Sequence, residues 1–183
     1  MDAQALLKQY AAGERDFSRA ELAEAKLAQA KLSGINLIRA DLSRSHCQGS
    51  NLSGAFLVVA NMAAANFEGA TLIVANLSGA DLRAANLRCA NLSEAILTGT
   101  ILIRANLSRA CLRGAILAGA NLNEANLIEA DLQGVNLYGA DLRNANLQGA
   151  NLDHANLRGA KLEGAIMPDV LPVDLSNFVG VRK

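Results

Sequence analysis

Residues 75–99 read ANLSG ADLRA ANLRC ANLSE AILTG, and the same pattern extends in both directions from them. From Phe17 to Met167 every fifth residue is large and apolar, and at most places it is leucine. The residue two positions before it is small and usually alanine, and asparagine or aspartate commonly stands between the two. The unit is therefore A-(N/D)-L-X-X, repeated 31 times without insertion. An unbroken short period predicts a repeat architecture.

The period of five predicts a chain that turns a corner in every unit. In an extended segment, residues two apart lie on the same face, so the alanine and leucine of one unit point to the same side. In a straight strand the next leucine, five residues on, would lie on the opposite side. The last two positions supply turn-compatible residues, often glycine, as at Gly79, Gly99 and Gly119. Repeated corners of one hand wind a coil with leucine and alanine inside.

The composition restricts the class of protein. The 183 residues have the size of one domain, and 51% hydrophobic residues suffice for a core. Only 3% are aromatic, so this core must consist of leucine and alanine. Basic and acidic residues number 17 each, so the net charge neither attracts nucleic acid nor imitates it. We expect a soluble cytoplasmic protein, because the sequence shows neither a secretory signal nor an apolar run of the ~18 residues that span a membrane.

The tandem units resemble the pentapeptide-repeat family from residue 15 to residue 169. The opening stretch Leu6–Phe17 also looks like the lead-in of cyanobacterial members. The resemblance implies an all-β fold, a right-handed quadrilateral parallel β-helix with four units in each coil and with leucine and alanine pointing inward. The 31 units then make nearly eight coils.

The charged residues provide an independent check on four units in each coil. Residues twenty apart then lie directly above one another. Opposite charges stack in this register at Glu24 with Arg44, Glu68 with Arg88, Arg104 with Glu124, Arg109 with Glu129, Asp141 with Lys161 and Arg143 with Glu163. Like charges stack only at Arg19 with Arg39 and at Glu21 with Asp41. An exposed pair contributes at most about 1 kcal/mol, so the pattern indicates geometry rather than stability.

The pattern divides the chain into three parts. Residues 1–14 are predicted to form an N-terminal capping helix, residues 15–169 the β-helix, and residues 170–183 a C-terminal cap. Pro168 and Pro172 end the repeat. The apolar residues expected to fold over the last leucine layer are Val170, Leu171, Val173, Leu175, Phe178 and Val179.

The N-terminal segment is predicted to be a short amphipathic helix from Asp2 to Ala12. Asp2 suits the N-cap, and Gly13 follows the end of the helix. The residues expected on the side that covers the first coil are Leu6, Leu7 and Tyr10. Such a cover would protect the open edge of the coil from end-to-end association.

The cysteines and histidines do not form a reactive cluster in the sequence. Cys47, Cys89 and Cys111 are odd in number and lack the spacing of a disulfide framework or a zinc site. Cys47 takes a leucine position and should point inward as a poor nucleophile, whereas the other two should face outward on different sides. His46 and His154 lie about five coils apart, so they cannot share a site. We predict no catalytic, cofactor-binding or metal-binding residue.

The asparagine and aspartate residues that precede each leucine have two interpretations. They could form a metal-binding or antifreeze array on the outside of the coil. Alternatively, they bond to the neighbouring backbone and form a ladder that the fold itself favours. The glycines follow the period and precede no helix, so they do not indicate a phosphate-binding loop.

The sequence is consistent with three classes of function to different degrees. A non-enzymatic rigid scaffold or protein-interaction module suits a fold without a pocket, a moving part or a catalytic cluster. The resemblance implies an alternative, because some family members are DNA-mimicking regulators of DNA gyrase, but that role requires a strongly acidic rod. An enzyme is the least favoured, because the repeats occupy nearly the whole chain. We expect no cofactor, and a partner that is another protein or a second copy, rather than nucleic acid or a membrane.

Apolar residues at outward positions indicate where a partner would bind. The predicted partner surface is Ile38, Phe56, Val58, Val59, Ile73 and Val74. In the four-unit register these residues fall on two adjoining sides. A second, less compact group is Ile96, Ile101, Ile103 and Ile116. Two interpretations stay open, because a β-solenoid tolerates scattered β-branched residues on its outside, whereas a contiguous patch marks a homodimer face or a partner site.

Overall fold

The computed structural model describes residues 1–169, which form one short helix followed by a long coil. The helix α1 spans Ala3–Ala11, and no continuous strand follows it between residues 12 and 169. Instead, the second residue of each unit forms a parallel bridge with the residue twenty positions later, from Asp16↔Asn36 to Asn146↔Ile166. Four units therefore complete one coil, and the predicted right-handed quadrilateral β-helix is confirmed. Among the described residues, no helix has the length and apolar character needed to cross a membrane.

Each corner of the coil is a tight turn between two units. The amide of Ala80 donates to the carbonyl oxygen of Leu77 at 2.9 Å, and the same bond recurs at the other corners. The fifth residue of every unit from Arg19 to Gly164 has a positive φ, and it is glycine at 13 of these corners and another residue at 17. A turn in which only the third residue has positive φ is of type II. Glycine adopts this conformation freely, whereas other residues are strained.

The core is a stack of leucine and alanine layers. Leucine at the third position and alanine at the first are buried through almost the entire rod. Ser45, Ser50 and Thr100 take alanine positions and are also buried. The hydroxyl of Ser50 donates to the carbonyl of Cys47 at 2.8 Å, and that of Thr100 donates to the carbonyl of Leu77 at 3.1 Å. These bonds satisfy polar groups that would otherwise be costly to bury.

Helix α1 covers the open edge of the first coil. Asp2 is the N-cap as predicted, and its Oδ1 accepts from the amide of Ala5 at 2.7 Å. Leu6 is fully buried, and the hydroxyl of Tyr10 donates to the carbonyl of Ser33 at 2.7 Å. This bond satisfies a carbonyl at the edge of the coil.

One part of the predicted cap is wrong and another lies outside the described residues. Leu7 was expected to pack beside Leu6, but its side chain is 37% exposed. The packed side of α1 follows the helical spacing Ala3–Leu6–Tyr10, and Leu7 is turned about 100° away from Leu6. The predicted packing of Val170, Leu171, Val173, Leu175, Phe178 and Val179 lies beyond residue 169.

Four of the six predicted charge stacks form ion pairs. Their closest N–O distances are 3.8 Å for Glu24–Arg44, 2.7 Å for Glu68–Arg88, 2.7 Å for Arg104–Glu124 and 2.6 Å for Arg109–Glu129. The other two pairs also stack in this register, because Asp141 is bridged to Lys161 and the amide of Asn144 donates to the carbonyl of Glu163. Arg143 nevertheless pairs with Asp141 in its own unit, at 2.6 Å. A side chain two residues away on the same side of a strand competes well with one in the next coil.

Candidate functional site: the four outer faces of the rod

The rod has four sides, and each is a stack of units. Face 1 consists of the units 15–19, 35–39, 55–59, 75–79, 95–99, 115–119, 135–139 and 155–159. Faces 2, 3 and 4 follow in chain order, so face 4 comes directly before face 1 in the next coil. On every face the second and fourth residues of a unit point outward, and the fifth lies at the corner that leads to the next face.

The six residues of the predicted partner surface lie on faces 1 and 4. Ile38, Phe56, Val58 and Val59 belong to face 1, whereas Ile73 and Val74 belong to face 4 next to their shared corner. Three of them are well exposed: Phe56 by 49%, Val59 by 54% and Val74 by 51%. The others, Ile38, Val58 and Ile73, are half-buried between neighbouring coils.

Val59 and Val74 stand at corners where a β-branched residue is strained. Their φ angles are 57° and 50°, in the left-handed region. A β-branched side chain rarely adopts this conformation, because it crowds its own backbone. Both side chains are more than half exposed, so their burial contributes little stabilisation to offset the strain. Strained residues at exposed positions are a reason to suspect a functional surface.

Face 1 also has an unusual charge distribution. Five consecutive units on this face contain no aspartate, glutamate, lysine or arginine: 55–59, 75–79, 95–99, 115–119 and 135–139. We call this surface the neutral stripe. In the same five coils the charged residues of face 2 are Asp81, Arg83, Arg104, Glu124, Asp141 and Arg143. Those of face 3 are Glu68, Arg88, Arg109 and Glu129, and those of face 4 are Glu94, Arg113, Asp131 and Asp153. The absence of charge is therefore specific to face 1.

The structure joins part of the second apolar group to the first. Phe56, Ile96 and Ile116 lie in one column of bridged residues on face 1, with Asn76 between the first two. Ile101 and Ile103 instead lie on face 2, so the second group is divided. Sequence reasoning missed Tyr138, which is 58% exposed and shares a column with Val58. The neutral stripe was also detectable from sequence, because five units spaced twenty residues apart, from 55–59 to 135–139, all lack charged residues.

The charges on the other faces largely neutralise one another. The hydrogen bond from Arg104 lowers the pKa of Glu124, and the hydrogen bond from Arg83 likewise lowers the pKa of Asp81. The pKa of Arg109 is raised by its bond to Glu129. These groups stay ionised and paired near neutral pH. Faces 2, 3 and 4 therefore present alternating signs rather than a field of one sign.

The outer asparagine residues are engaged by the fold. Oδ1 of Asn76 accepts from the amide of Ser78 at 3.0 Å and from its hydroxyl at 2.7 Å. Between coils, Nδ2 of Asn86 donates to Oδ1 of Asn66 at 3.2 Å. The bonds within units resemble Asx turns, which compensate backbone donors locally. Of the two interpretations of these residues, the backbone-bonding ladder agrees with these contacts.

The cysteines and histidines lie apart. Burial raises the pKa of Cys47 to about 11, so its thiol is a poor nucleophile. Cys89 is exposed at a corner, and Cys111 is half-buried on the next face. His46 lies low on face 3, where its backbone forms β-bridges with Lys26 and Asn66. His154 lies at an upper corner of face 4. Within residues 1–169, no three His, Cys, Asp or Glu side chains are placed to hold a metal ion.

The repeated units match a family model described as pentapeptide repeats, with eight copies. The matched ranges are 20–57, 40–73, 60–99, 75–114, 105–144 and 130–169. The chain is a pentapeptide-repeat protein. No curated protein matches it.

Solved structures similar to this pentapeptide-repeat protein include two from cyanobacteria. HetL of Nostoc sp. strain PCC 7120, a pentapeptide repeat protein involved in heterocyst differentiation regulation, is 34% identical, with 92% of this chain and 98% of HetL covered and a TM-score of 0.40. Rfr23 of Cyanothece 51142 is 43% identical, with 53% of this chain and 63% of Rfr23 covered and a TM-score of 0.46. A trypsin-treated QnrB1 variant, a plasmid-mediated fluoroquinolone resistance protein, is 19% identical, with 84% and 87% covered and a TM-score of 0.61. The likeness to QnrB1 concerns the fold alone.

Proposed function

We propose that this repeat scaffold is a non-enzymatic protein-interaction rod that binds a protein partner through the neutral stripe. The observation that carries the proposal is the lack of charge over five coils of one face, together with the exposed Phe56, Ile116 and Tyr138. A partner that covers this face removes apolar surface from water and desolvates no charged side chain. Covering any other face over the same height would desolvate at least four charges.

The rigidity of the rod supports an interaction role. Consecutive coils are joined by backbone hydrogen bonds on all four sides, such as Leu77 N to Ile96 O at 2.7 Å. A surface held in this way is preorganised, so little conformational freedom is lost on binding. The predicted partner surface belongs to this proposal, because Phe56, Val58 and Val59 form the lower end of the stripe. The partner is a second copy or another protein, and we place the protein in the cytoplasm, where its free cysteines would stay reduced.

The charge pattern disfavours the alternative of a DNA-mimicking gyrase regulator. A DNA mimic needs rows of unpaired acidic groups, as in the phosphate backbone. Here Glu68, Glu124 and Glu129 are each paired with an arginine, and the net charge of the chain is zero.

The test is capture of host proteins on immobilised full-length protein, with two matched single substitutions. Ile116→Lys adds a charge to the neutral stripe, and Ile128→Lys adds the same charge to face 3. Lysine is tolerated at the second position, as Lys161 shows, and arginine at the fourth, as Arg88 shows. We expect a protein retained by the wild type and by Ile128→Lys to be lost with Ile116→Lys, while circular dichroism stays unchanged. Equal retention by both variants would remove the neutral stripe as the binding surface.

A further inference from the structure

The two corner columns that border face 1 have complementary relief. Along the corner between faces 1 and 2, the fifth-position residues change from side chains to glycine: Arg19, Arg39, Val59, Gly79, Gly99, Gly119 and Gly139. Along the corner between faces 4 and 1, glycine comes first at Gly34 and Gly54, side chains follow at Val74 and Glu94, and glycine returns at Gly114 and Gly134. The change from Val59 to Gly79 and the change from Gly54 to Val74 occur at the same height, between unit 55–59 and unit 75–79. A β-carbon built on Gly34, Gly54, Gly99 or Gly119 would have no atom of residues 1–169 within 4 Å, so this part of the chain leaves open space beside these glycines.

We infer that face 1 packs against face 1 of a second copy, in an antiparallel homodimer whose twofold axis passes between Val59 and Gly79. This inference rests on the proposed function and names the partner. A twofold axis there places unit 55–59 on unit 75–79 of the second copy, and unit 35–39 on unit 95–99. A twofold interface repeats every contact, so self-complementary relief is what it requires.

In this register each side chain in a corner column meets glycine. Val59 faces Gly79 of the second copy, and Arg39 faces Gly99. At the opposite corner, Val74 faces Gly54 and Glu94 faces Gly34. The same twofold axis therefore pairs side chains with glycines in both corner columns, although the two columns have different residue orders. Sliding the second copy by one coil in either direction would place Val59 or Val74 against its own symmetry mate.

The central rows of the overlap are uncharged, and its charged residues lie at corners and in the outermost row. The central rows of the overlap bring Phe56 and Val58 of one copy against Asn76 and Ser78 of the other, so bulky residues meet smaller ones and no charge is buried there. The charged Arg39 and Glu94 lie at corners, where their ends reach solvent. The outermost row places the charged unit 15–19 of one copy beside unit 115–119 of the other, with Asp16 facing Ile116 at the end of the overlap. The overlap spans six coils, or roughly 24 Å between its outermost backbone rows, and offers on the order of 600 Å² per copy. That area is at the lower end for specific complexes, so the dimer dissociates reversibly.

The test is sedimentation velocity of the purified full-length protein over a wide concentration range, with Gly79→Arg and Gly139→Arg. Both glycines belong to the same corner column, and arginine is accommodated at this position with positive φ at Arg39 and Arg104. Gly79→Arg fills the space that Val59 of the second copy needs. Gly139 lies outside the overlap. We expect a wild-type dimer, the same dimer with Gly139→Arg, and a dissociation constant raised at least about tenfold with Gly79→Arg.

A cross-link tests the register directly. In a background without Cys89 and Cys111, a mixture of Val59→Cys and Gly79→Cys copies should form disulfide-linked dimers, and each variant alone should form far fewer. A wild-type protein that stays monomeric, or a dimer indifferent to Gly79→Arg, would overturn the second-copy inference. The proposed function would then still stand or fall with Ile116→Lys, whose readout is a different protein.

Discussion

Val59 lies one coil below Gly79, and Cγ2 of Val59 is 3.6 Å from the place that a β-carbon on Gly79 would occupy. Both residues hold the same place in a type II turn, with φ angles of 57° and 65°. The turn therefore requires the same positive φ of Val59, for which it is strained, and of Gly79, which adopts it freely.

This pair predicts that Val59→Asn stabilises the fold. Asparagine tolerates positive φ better than valine, and the exposed valine side chain gives up little buried area. We expect the free energy of unfolding to rise by about 1 kcal/mol, measured by urea denaturation. The reverse change, Gly79→Val, should lower it by a similar amount. A destabilised Val59→Asn would show that the valine is not strained.

The inward leucine columns should dominate stability in the middle of the rod. Leu87 is completely buried, whereas its neighbour Arg88 is half-buried and paired with Glu68. Leu87→Ala should lower the free energy of unfolding by roughly 2–5 kcal/mol, because it leaves a cavity between two coils. Arg88→Ala should lower it by well under about 1 kcal/mol. Chemical denaturation compares the two, and equal losses would contradict the inward packing of Leu87.

Two adjacent leucines of α1 should differ sharply. Leu6 is fully buried against the first coil, whereas Leu7 is 37% exposed. Leu6→Ala should lower the free energy of unfolding of the cap and its coil by about 2–4 kcal/mol, and Leu7→Ala by less than about 1 kcal/mol. Hydrogen exchange of the amides in the first coil reports this local effect. Similar exchange in both variants would mean that α1 does not hold that coil.

Removing residues 1–12 should promote association rather than unfold the rod. The deletion removes the bond from Tyr10 to the Ser33 carbonyl and uncovers the edge of the first coil. An uncovered edge offers free backbone groups to another chain, while the stability of later coils is local. Sedimentation should show larger species with an unchanged β-type circular dichroism spectrum. A truncated protein with the oligomeric state and stability of the full chain would show that α1 is dispensable.

The buried thiol of Cys47 should make stability fall at alkaline pH. Its pKa in the fold is about 11, against an ordinary value of 9.0. The unfolded chain therefore releases this proton first, so unfolding becomes easier as the pH rises from 9 towards 11. Below pH 9 the thiol is protonated in both states and contributes no pH dependence. Cys47→Ala should show a smaller loss of unfolding free energy across that window.

Thiol labelling provides an independent check of the same residue. At mildly alkaline pH, Cys89 should react in the native protein because it is exposed, whereas Cys47 should react only after unfolding. The control is Cys89→Ala, which should remove a thiol that is reactive in the native state. Rapid labelling of native Cys47 would contradict its burial.

Most of the fold was predictable from sequence because it follows from the five-residue spacing along the chain. A spacing of five fixes which residues can share a side of an extended chain, and so Leu87 and Ala85 had to point the same way, opposite to Asn86. A corner in each unit follows from the same spacing. The positions of Asp2 and Gly13 likewise predicted the helix, because their preferences at helix ends are local.

Competition between neighbours in space was decided only by the tertiary structure. Arg143 could pair with Asp141 in its own unit or with Glu163 in the next coil, and in the structure it donates to both oxygens of Asp141. Leu7 was apolar and one residue from Leu6, but the helix turns about 100° per residue and leaves it outside. Spacing along the chain alone cannot choose between two partners at similar reach.

The candidate site falls between these two cases. The outward direction of Phe56, Val58 and Val59 was predictable from their positions in the five-residue unit. The continuous stripe with Ile116 and Tyr138 depends on stacking, which brings together residues twenty and eighty apart. The strain at Val59 and Val74 became visible only in the structure. The turn that closes each coil imposes a positive φ on these residues, whatever their side chains favour.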